Sequence, residues 1–402
     1  MRFDVVIAGA GIGGAVLALA LGRRGWRIAI VERESAPPLI ARPEILWGAT
    51  PRALDGLGIG NAIRSASVKV DAIDIGGEEP WLRITGNDFA AADVEAFSTN
   101  PSLTRSMVAG AAVATGNVEI HHGITVEDLL CDAGRVTGVR GKRGDPPLEL
   151  HASLVVGDDG GSSTVRARLG IPIALEAFPI EFVTAHIRQW PLPAHRGRVW
   201  IDRKGLQDGL PAAGFIPWPE NEGVLLVPLP ADRAQSLFVQ SSDAFWRALA
   251  RVTPLAAAVR EQLEFPRDFR RVARPFGHAQ SYVANGAALM GDAAHPMTPA
   301  GGQGANASIW DALALAEIAD AALRASDVSR ERLLSYERLR RPANERSMSF
   351  SRGARQAFRF TGMLPLALVL PGVAKTLDTL GWPKRKVIRT FANAFVHPRT
   401  SD

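Results

Sequence analysis

Residues 1–34 read MRFDVVIAGAGIGGAVLALALGRRGWRIAIVERE, and this stretch decides the fold class. The apolar segment from Phe3 to Ala8 predicts a buried strand. The run from Gly14 to Arg24 contains no helix breaker and predicts a helix, and Trp26 to Glu32 predicts a second strand. A strand, a helix and a second strand in this order form the βαβ unit of a parallel sheet. We therefore expect an α/β protein.

A glycine-rich turn joins the first strand to the helix and predicts a nucleotide site. It reads GAGIGG and matches the fingerprint G-x-G-x-x-G, whose glycines make the tight turn, admit a diphosphate and let the helix pack on the strand. A carboxylate at the end of the second strand can accept hydrogen bonds from both hydroxyls of a ribose. We assign six residues of this stretch to the cofactor site: Gly9, Gly11, Gly13, Gly14, Glu32 and Arg33.

The fingerprint alone leaves NAD and FAD open, and a glycine turn without a ligand is the plain alternative. Two later motifs favour FAD. Residues 154–170 read LVVGDDGGSSTVRARLG and contain Asp159-Gly160 followed by Ser163 and Arg166. Residues 288–316 read ALMGDAAHPMTPAGGQGANASIWDALALA, in which an apolar strand leads into Gly291-Asp292. Each motif follows an apolar strand, where the ligands of a parallel sheet bind.

With three motifs in this order, the chain resembles the class A flavoprotein monooxygenases, the para-hydroxybenzoate hydroxylase-like aromatic-ring hydroxylases. The resemblance implies non-covalent FAD, with NAD(P)H as a transient co-substrate. It implies that a flavin C4a-hydroperoxide formed from O2 hydroxylates or epoxidises an electron-rich aromatic or unsaturated small molecule. It also implies a Rossmann-like FAD-binding domain with a parallel sheet, interrupted by a mostly antiparallel β-sheet substrate domain, plus C-terminal helices.

The resemblance suggests domain boundaries. Residues 1–70, 97–172 and 276–350 are expected to form the discontinuous FAD-binding domain, and residues 71–96 and 173–275 the substrate domain. Residues 351–402 are expected to form a C-terminal helical segment. Beyond Ala305 the pattern is helical, and prolines predict breaks at Pro342, Pro365, Pro371 and Pro383.

The resemblance also carries roles for residues beyond the first motif. Asp292 is expected to direct its carboxylate at a ribityl hydroxyl, and Arg42 to cross to the FAD. Asp159 either caps the helix that follows it or supports the cofactor, and the two roles are compatible. His295 is interpreted as a structural residue of its turn rather than a catalytic base.

The start of the helix near residue 304 is expected to form the flavin side of the reaction site. Backbone N–H groups of Ala305 and Asn306 would face the pyrimidine end of the flavin and stabilise negative charge there. Pro299 would lie where the substrate approaches, and Gly302 and Gly304 complete the cofactor site. No side-chain base is assigned.

Two positions depart from the family pattern. Asn100 stands where the family often has an arginine at the start of a helix, and Arg105 is out of register, which puts that FAD contact in doubt. Trp47 stands where a small or polar residue is common, and it either shapes the pocket or fills core.

By resemblance, the sheet between residues 181 and 230 lines the substrate pocket. An aromatic residue on a strand is also a typical core residue, so each candidate has that alternative. Both tyrosines of the chain fall in segments that look structural, so a tyrosine relay for a phenol proton is not expected. The substrate candidates are Trp47, His186, Trp200, Phe215 and Trp218.

Composition limits other functions. The net charge of +5 is modest and scattered, so nucleic acid is not an expected partner. Cys131 is the single cysteine, so no disulfide framework or cysteine metal site is expected, and no metal is predicted. A signal peptide is not recognised, and the expected location is cytoplasmic.

Some properties stay open at this level. The apolar and basic segment from Met363 to Arg389 either covers the core, forms a dimer contact or rests on a membrane surface, and the protein is a monomer or a homodimer. Two rival functions remain: an FAD-dependent reductase of the same superfamily and a non-catalytic FAD-binding protein.

Overall fold

The structure is a computed structural model that describes residues 2–36, 42–142, 147–202, 210–239, 241–299, 302–361 and 370–396. The strands are β1 Arg2–Ala8, β2 Ile28–Glu32, β3 Glu44–Trp47, β4 Val68–Lys69, β5 Ala72–Gly76, β6 Pro80–Thr85, β7 Ala96–Thr99, β8 Val118–His122, β9 Thr125–Asp132, β10 Arg135–Lys142, β11 Leu148–Gly157, β12 Ile173–Glu176, β13 Ile180–Ile187, β14 Arg196–Ile201, β15 Ala212–Trp218, β16 Glu222–Pro230, β17 Phe269–Val272, β18 Phe276–Ala279, β19 Val283–Ala284 and β20 Ala287–Leu289. The α-helices are α1 Ile12–Gly22, α2 Ala49–Asp55, α3 Gly60–Ser65, α4 Gly86–Ala91, α5 Pro101–Val113, α6 Thr164–Arg168, α7 Ala231–Leu237, α8 Ser242–Val252, α9 Ala256–Arg260, α10 Gln303–Arg324, α11 Arg330–Thr361, α12 Leu370–Thr379 and α13 Gly381–Ala392.

The first sheet is built around β1 and confirms the expected α/β fold. Strand β1 pairs in parallel with β2 on one side and with β11 on the other. Strand β2 pairs in parallel with β8, and β11 pairs in parallel with β20. Strands β9, β10 and β19 add antiparallel edges. Helix α1 packs against α5 and α10. Strand β2 is buried along its whole length, as its uninterrupted apolar run IAIVE predicts for a parallel sheet covered on both faces.

The second sheet has seven strands in the order β17-β13-β16-β15-β14-β5-β6, drawn from residues 72–85 and 180–272. All its pairs are antiparallel except β14 with β5. Helices α7, α8 and α9 cover one face with an apolar core that includes Val183, Ala185 and Phe245. Because side chains alternate along a strand, Phe182 and Thr184 point to the other face. That face lines the cleft described below.

The C-terminal helices differ in one respect from the sequence prediction. The expected break at Pro342 is wrong, because α11 continues through it from Arg330 to Thr361. A proline removes one intrahelical hydrogen bond, but tertiary contacts on both sides hold this turn: Arg340 and Asn344 are fully buried and both bond Asp311. The boundary expected at residue 350 falls inside this helix.

The other three prolines have different positions. Pro371 and Pro383 lie in the first turns of α12 and α13, where proline is tolerated because its N–H would be unpaired. Pro365 lies outside the described residues. Within the described parts of the chain, no helix combines the length and apolar character needed to cross a bilayer.

Candidate active site

A cleft of about 470 Å³ opens where the strands of the first sheet end and faces the second sheet. The cleft contains eleven residues that the sequence assigned to the cofactor or the reaction site: Gly9, Gly11, Glu32, Arg33, Arg42, Asp159, Asp292, Pro299, Gly302, Gly304 and Ala305. The other assigned residues are not among those that line the cleft: Gly13, Gly14, Asn306, Trp47, His186, Trp200, Phe215 and Trp218.

The glycine turn has the shape of a diphosphate cradle. Gly9 has a φ of +102°, and a Cβ atom on it would lie 2.3 Å from the carbonyl oxygen of Asp158, so glycine is required there. A Cβ atom on Gly14 would lie 3.2 Å from Ile7, because α1 packs closely on β1 as expected. Gly13 faces α10 instead, where its Cβ would lie 2.1 Å from Ser308 Oγ. The turn therefore fits a nucleotide cofactor, and Gly13 serves helix packing.

The carboxylate of Glu32 is buried at the end of β2 and lines the cleft. Its Oε2 accepts a hydrogen bond from the N–H of Ala10 at 2.9 Å, and Oε1 accepts one from the N–H of Glu34 at 3.0 Å. Each carboxylate oxygen can accept a second hydrogen bond, so ribose hydroxyls can still bind here. Arg33 is exposed beside it and pairs with Glu34 at 3.2 Å.

The motif that contains Asp159 connects the turn after β11 to the turn after β20. Asp159 accepts hydrogen bonds from the Ser163 hydroxyl and from the N–H of Val165 at 3.1 Å, so it anchors the start of α6. The guanidinium of Arg166 donates to the carbonyl of Ala293 at 2.7 Å. Asp159 thus has the helix-anchoring role while it also lines the cleft.

Asp292 forms an ion pair with Arg274, and both side chains line the cleft. Arg274 follows β17 of the second sheet, so the pair joins the substrate side of the cleft to the turn after β20. Arg274 carries no sequence signal, because it stands in the stretch RRVARPFGH among several other arginines with no motif spacing to single it out.

The start of α10 presents unpaired backbone N–H groups to the cleft. The helix begins at Gln303 after Gly302, which has a φ of +63°. The first four N–H groups of a helix have no intrahelical partner, and they carry partial positive charge. Gly304 and Ala305 belong to this set and line the cleft.

The expected role of the Asn306 N–H at the flavin stays a prediction. The side chain of Asn306 is buried, and its Nδ2 donates to the carbonyl of Gly302 at 3.0 Å. Oδ1 accepts hydrogen bonds from the N–H of Trp47 at 3.1 Å and from Thr50 Oγ1 at 2.9 Å, and Nδ2 donates to the carbonyl of Ile45 at 2.8 Å. Asn306 therefore ties α10 to β3 and α2.

Three charged side chains, Arg42, Glu44 and Arg105, gather at the cleft. Burial raises the pKa of Glu44, and the two arginines and a 3.0 Å hydrogen bond from Thr99 lower it in part. Asn100 caps α5 by accepting from the N–H of Ser102 at 3.0 Å. Arg105, one turn further along α5, lines the cleft although it is out of register with the family arginine. Glu44 carried no sequence signal.

The second sheet and the loop before α10 form an apolar wall of the cleft, which consists of Phe182, Thr184, Leu226, Val272 and Met297. Thr184 is 1% exposed, and its Oγ1 has no hydrogen-bond partner among the described residues. A buried hydroxyl without a partner is costly, so a ligand group that bonds it gains affinity. Pro299 lies in the same cleft.

Strand register explains the outcome for four substrate candidates. Paired residues of neighbouring strands point to the same face of the sheet, and successive residues of one strand alternate. Thr184 pairs with Leu226, which lines the cleft, and Phe215 pairs with Leu225, the next residue. Phe215 therefore points away from the cleft. Trp200 joins Phe215 in the core under α8, and the expectation for both is wrong. His186 and Trp218 lie on the same sheet face as Thr184. His186 Nε2 is 2.8 Å from Glu222 Oε2, and its ring centroid is 5.2 Å from that of Trp218.

Trp47 packs in the core beneath the C-terminal helices. It is 6% exposed, and its ring meets Phe391 edge to face at 5.5 Å between centroids. Of the two roles left open for it, the structure favours core.

A buried charged cluster supports the turn that carries Asp292. Asp311 pairs with His295, accepts from Arg340 Nε at 2.7 Å and accepts from the N–H of Gly291 at 3.1 Å. Although burial alone would raise it, the pKa of Asp311 is held well below its ordinary range by His295 and Arg340. His295 thus has a structural partner, as its interpretation as a turn residue requires.

Comparisons with known proteins agree with this geometry. A family model described as "FAD binding domain" matches residues 2–351. A 12-dehydrotetracycline 5-monooxygenase/anhydrotetracycline 6-monooxygenase of Streptomyces rimosus is 31% identical over 85% of this chain and 67% of its own length. A 6-methylpretetramide 4-monooxygenase of Streptomyces rimosus is 30% identical over 86% of this chain and 81% of its own. The crystal structure of P. aeruginosa PqsL in complex with 2-aminobenzoylacetate superposes with a TM-score of 0.78 at 27% identity, covering 93% of this chain and 99% of that one.

Proposed function

Because this chain belongs to the class A FAD-dependent aromatic monooxygenases, we propose that it oxygenates a neutral, electron-rich aromatic molecule anchored by Thr184. NAD(P)H and O2 are the co-substrates of such an enzyme. The bound FAD supplies the redox chemistry, and the protein supplies position, a dry pocket and electrostatic support. The observation that carries the proposal is the apolar wall with one unpartnered buried hydroxyl.

The apolar wall favours a flat, apolar substrate that carries a single polar group. Phe182, Leu226 and Val272 offer apolar surface, and the Thr184 hydroxyl offers one hydrogen bond, as donor or acceptor. Sites of this kind bind through apolar area and use few polar groups to fix orientation. A phenol, an aryl ketone or an aryl amine satisfies both requirements.

The charges at this wall disfavour a substrate with an anionic group. Among the described residues on the second-sheet side of the cleft, Arg274 supplies the cation, and its guanidinium is ion-paired with Asp292. A carboxylate on the substrate would have to displace that pair. A neutral ring needs no such exchange, so we expect neutral substrates to bind more tightly than their carboxylated analogues.

The protein's own groups prepare the cofactor side. The positive end of α10 at Gly304 and Ala305 favours negative charge at the ring system that it faces. Glu32 would hold the ribose end of FAD, and the glycine turn would hold the diphosphate. The Asp292 carboxylate pairs with Arg274 and would also accept a hydrogen bond from a ribityl hydroxyl.

Thr184→Val tests the proposal, because it keeps the shape of the side chain and removes the hydroxyl. A screen of neutral aromatic compounds is scored by stimulated NAD(P)H oxidation and by product mass. For a compound that passes, Thr184→Val should raise KM by about ten-fold, the equivalent of one hydrogen bond of about 1.4 kcal/mol. Thr184→Ser should retain affinity, and Thr115→Val, at the end of α5, is the control.

Equal KM in Thr184→Val and in the parent would contradict the anchor. A carboxylated compound that outperforms every neutral one would contradict the substrate class. His186 and Trp218 remain proposed contacts deeper on the same face, because they share it with Thr184.

The co-substrate and the C-terminal helices bear on location and assembly. We place the enzyme in the cytoplasm, where NAD(P)H is supplied, as a monomer or homodimer. Helix α13 buries Ile388 and Ala392 against the core around Trp47, which favours a covering role for the C-terminal segment over membrane contact.

A further inference from the structure

The carboxyl group of Asp158 lies directly under the glycine turn, at the start of α1. Its Oδ2 accepts a hydrogen bond from the N–H of Gly14 at 2.7 Å. A Cβ atom on Gly11 would lie 2.8 Å from Oδ2, and one on Gly291 would lie 2.7 Å from Oδ1. The side chain therefore fills the space that these glycines leave, and it lines the cleft.

The surroundings of Asp158 are acidic. Desolvation raises the pKa of Asp158 well above its ordinary value, the Gly14 N–H lowers it, and Asp292, Asp159 and Asp311 raise it further. Tyr336 of α11 also interacts with it electrostatically. The acids are themselves engaged, Asp292 by Arg274, Asp159 by Ser163, and Asp311 by His295 and Arg340.

Within the described residues, Asp158 forms no ion pair. A diphosphate bound at the N-terminus of α1 adds negative charge at the same place. A carboxylate there would repel it, whereas a carboxylic acid can donate a hydrogen bond to a phosphate oxygen while its other oxygen keeps the Gly14 N–H.

We propose that Asp158 binds the diphosphate of FAD as a carboxylic acid, so that the apoprotein takes up a proton from solvent when FAD binds. The proton is shared between one carboxyl oxygen and one phosphate oxygen, and no other bond changes. The proposal concerns the adenine and diphosphate half of the cleft and is independent of the substrate.

Protonation of Asp158 makes FAD affinity depend on pH. Where Asp158 is already protonated in the apoprotein, FAD affinity does not depend on this group. Above that range, FAD must bind together with a proton, so affinity falls by up to about ten-fold for each pH unit. Asp158→Asn mimics the neutral acid, because its amide donates a hydrogen bond without taking up a proton.

The experiment titrates the apoprotein of the full chain with FAD between pH 6 and pH 9, by flavin fluorescence and by calorimetry in buffers of different ionisation enthalpy. The parent should take up as much as one proton per FAD more than Asp158→Asn, whose affinity should change less with pH. Asp132→Asn, on the exposed β9–β10 hairpin, should match the parent.

Equal proton uptake and equal pH slopes in Asp158→Asn and in the parent would overturn the proposal. If Asp158→Asn does not fold, infrared difference spectroscopy of the parent at pH 9 decides the matter, because FAD binding at that pH should produce the carbonyl band of a protonated carboxyl group. Lack of that band would overturn it as well. Failure to bind FAD at any pH would contradict the cofactor site itself, which is a different result.

Discussion

At the residue scale, we expect cofactor affinity to depend on side chains that also hold the protein parts of the cleft together. Glu32 accepts from the N–H groups of Ala10 and Glu34, so it fixes the glycine turn and the strand end at once. Asp292 pairs with the Arg274 side chain, so it joins the turn after β20 to the segment after β17. A substitution at either position therefore removes a contact within the protein as well as the expected contact with the cofactor.

Replacement of Glu32 by arginine should weaken FAD binding strongly. The variant loses charge-assisted hydrogen bonds of about 1.5–3 kcal/mol each and places a cation beside the N–H of Ala10. We expect a rise in Kd of at least about ten-fold, measured by titration of apoprotein with FAD. Glu32→Gln should lose less FAD affinity, and Glu119→Gln, an exposed residue of β8 that does not line the cleft, should bind FAD like the parent. An unchanged Kd in Glu32→Arg would remove the ribose role.

Replacement of Asp292 by alanine should lower flavin content while the fold persists. The ribityl chain loses an acceptor, and the Arg274 guanidinium loses its ion-pair partner at the cleft. The flavin-to-protein absorbance ratio after purification measures this, with circular dichroism as the check on folding. Asp128→Ala, whose nearest cation Arg168 is 3.6 Å away, is the control. Equal flavin content and turnover would make Asp292 a turn residue.

At the element scale, close packing of α1 on α10 fixes the glycine turn in space. Gly13→Ala would bring a methyl group to 2.1 Å from Ser308 Oγ and 2.8 Å from Met290 Cε. Overpacking of this kind costs about 1–3 kcal/mol. The midpoint of urea unfolding should fall. Gly110→Ala in α5, where a Cβ meets nothing within 4 Å, should instead stabilise by about 0.4–1 kcal/mol. A Gly13→Ala midpoint equal to the parent's would show that the helices can separate.

The Asp311 cluster links α10, α11 and the turn of Asp292. Its folded pKa lies below the unfolded value of about 3.9, so its stabilisation is present above that pH and declines as the pH falls. Asp311→Ala leaves Arg340 buried without its carboxylate, and it should cost about 3–5 kcal/mol at pH 7. Urea unfolding at pH 7 and in acid measures both effects. Glu317→Ala, an exposed pair with Arg24, should cost less than about 1 kcal/mol.

A loss below about 1 kcal/mol in Asp311→Ala would contradict the linking role of the cluster. A pH profile unchanged by the substitution would contradict the assigned direction of its pKa.

The sequence predicts elements well where a local pattern determines them. The turn between β1 and α1 follows from glycine spacing, and β2 from a continuous apolar run. The face of Phe215 does not follow from its own segment, because strand pairing with β16 decides which way an aromatic residue points. Arg274, Glu44 and Asp158 acquire their roles from chain segments distant in sequence, so no local spacing reveals them. Pro342 shows the same limit, since buried contacts of Arg340 and Asn344 override a local breaker.

At the scale of the whole molecule, two sheets enclose one cleft, with the cofactor motifs on the first and an apolar wall on the second. A substrate bound at the apolar wall would exclude water from the reacting face, so we expect substrate binding to control the reaction. With one nucleotide fingerprint in the chain, NAD(P)H has to visit the flavin transiently, and we expect substrate to accelerate flavin reduction.

The most direct test of the account supplies the holoenzyme with NAD(P)H, a neutral aromatic substrate and ¹⁸O-labelled O2, and analyses the product by mass spectrometry. Stopped-flow absorbance follows flavin reduction with and without the substrate. We predict slow reduction without substrate, faster reduction with it, and one labelled oxygen atom in the product. Product that forms under strict anaerobiosis without label would contradict the monooxygenase assignment and identify a reductase.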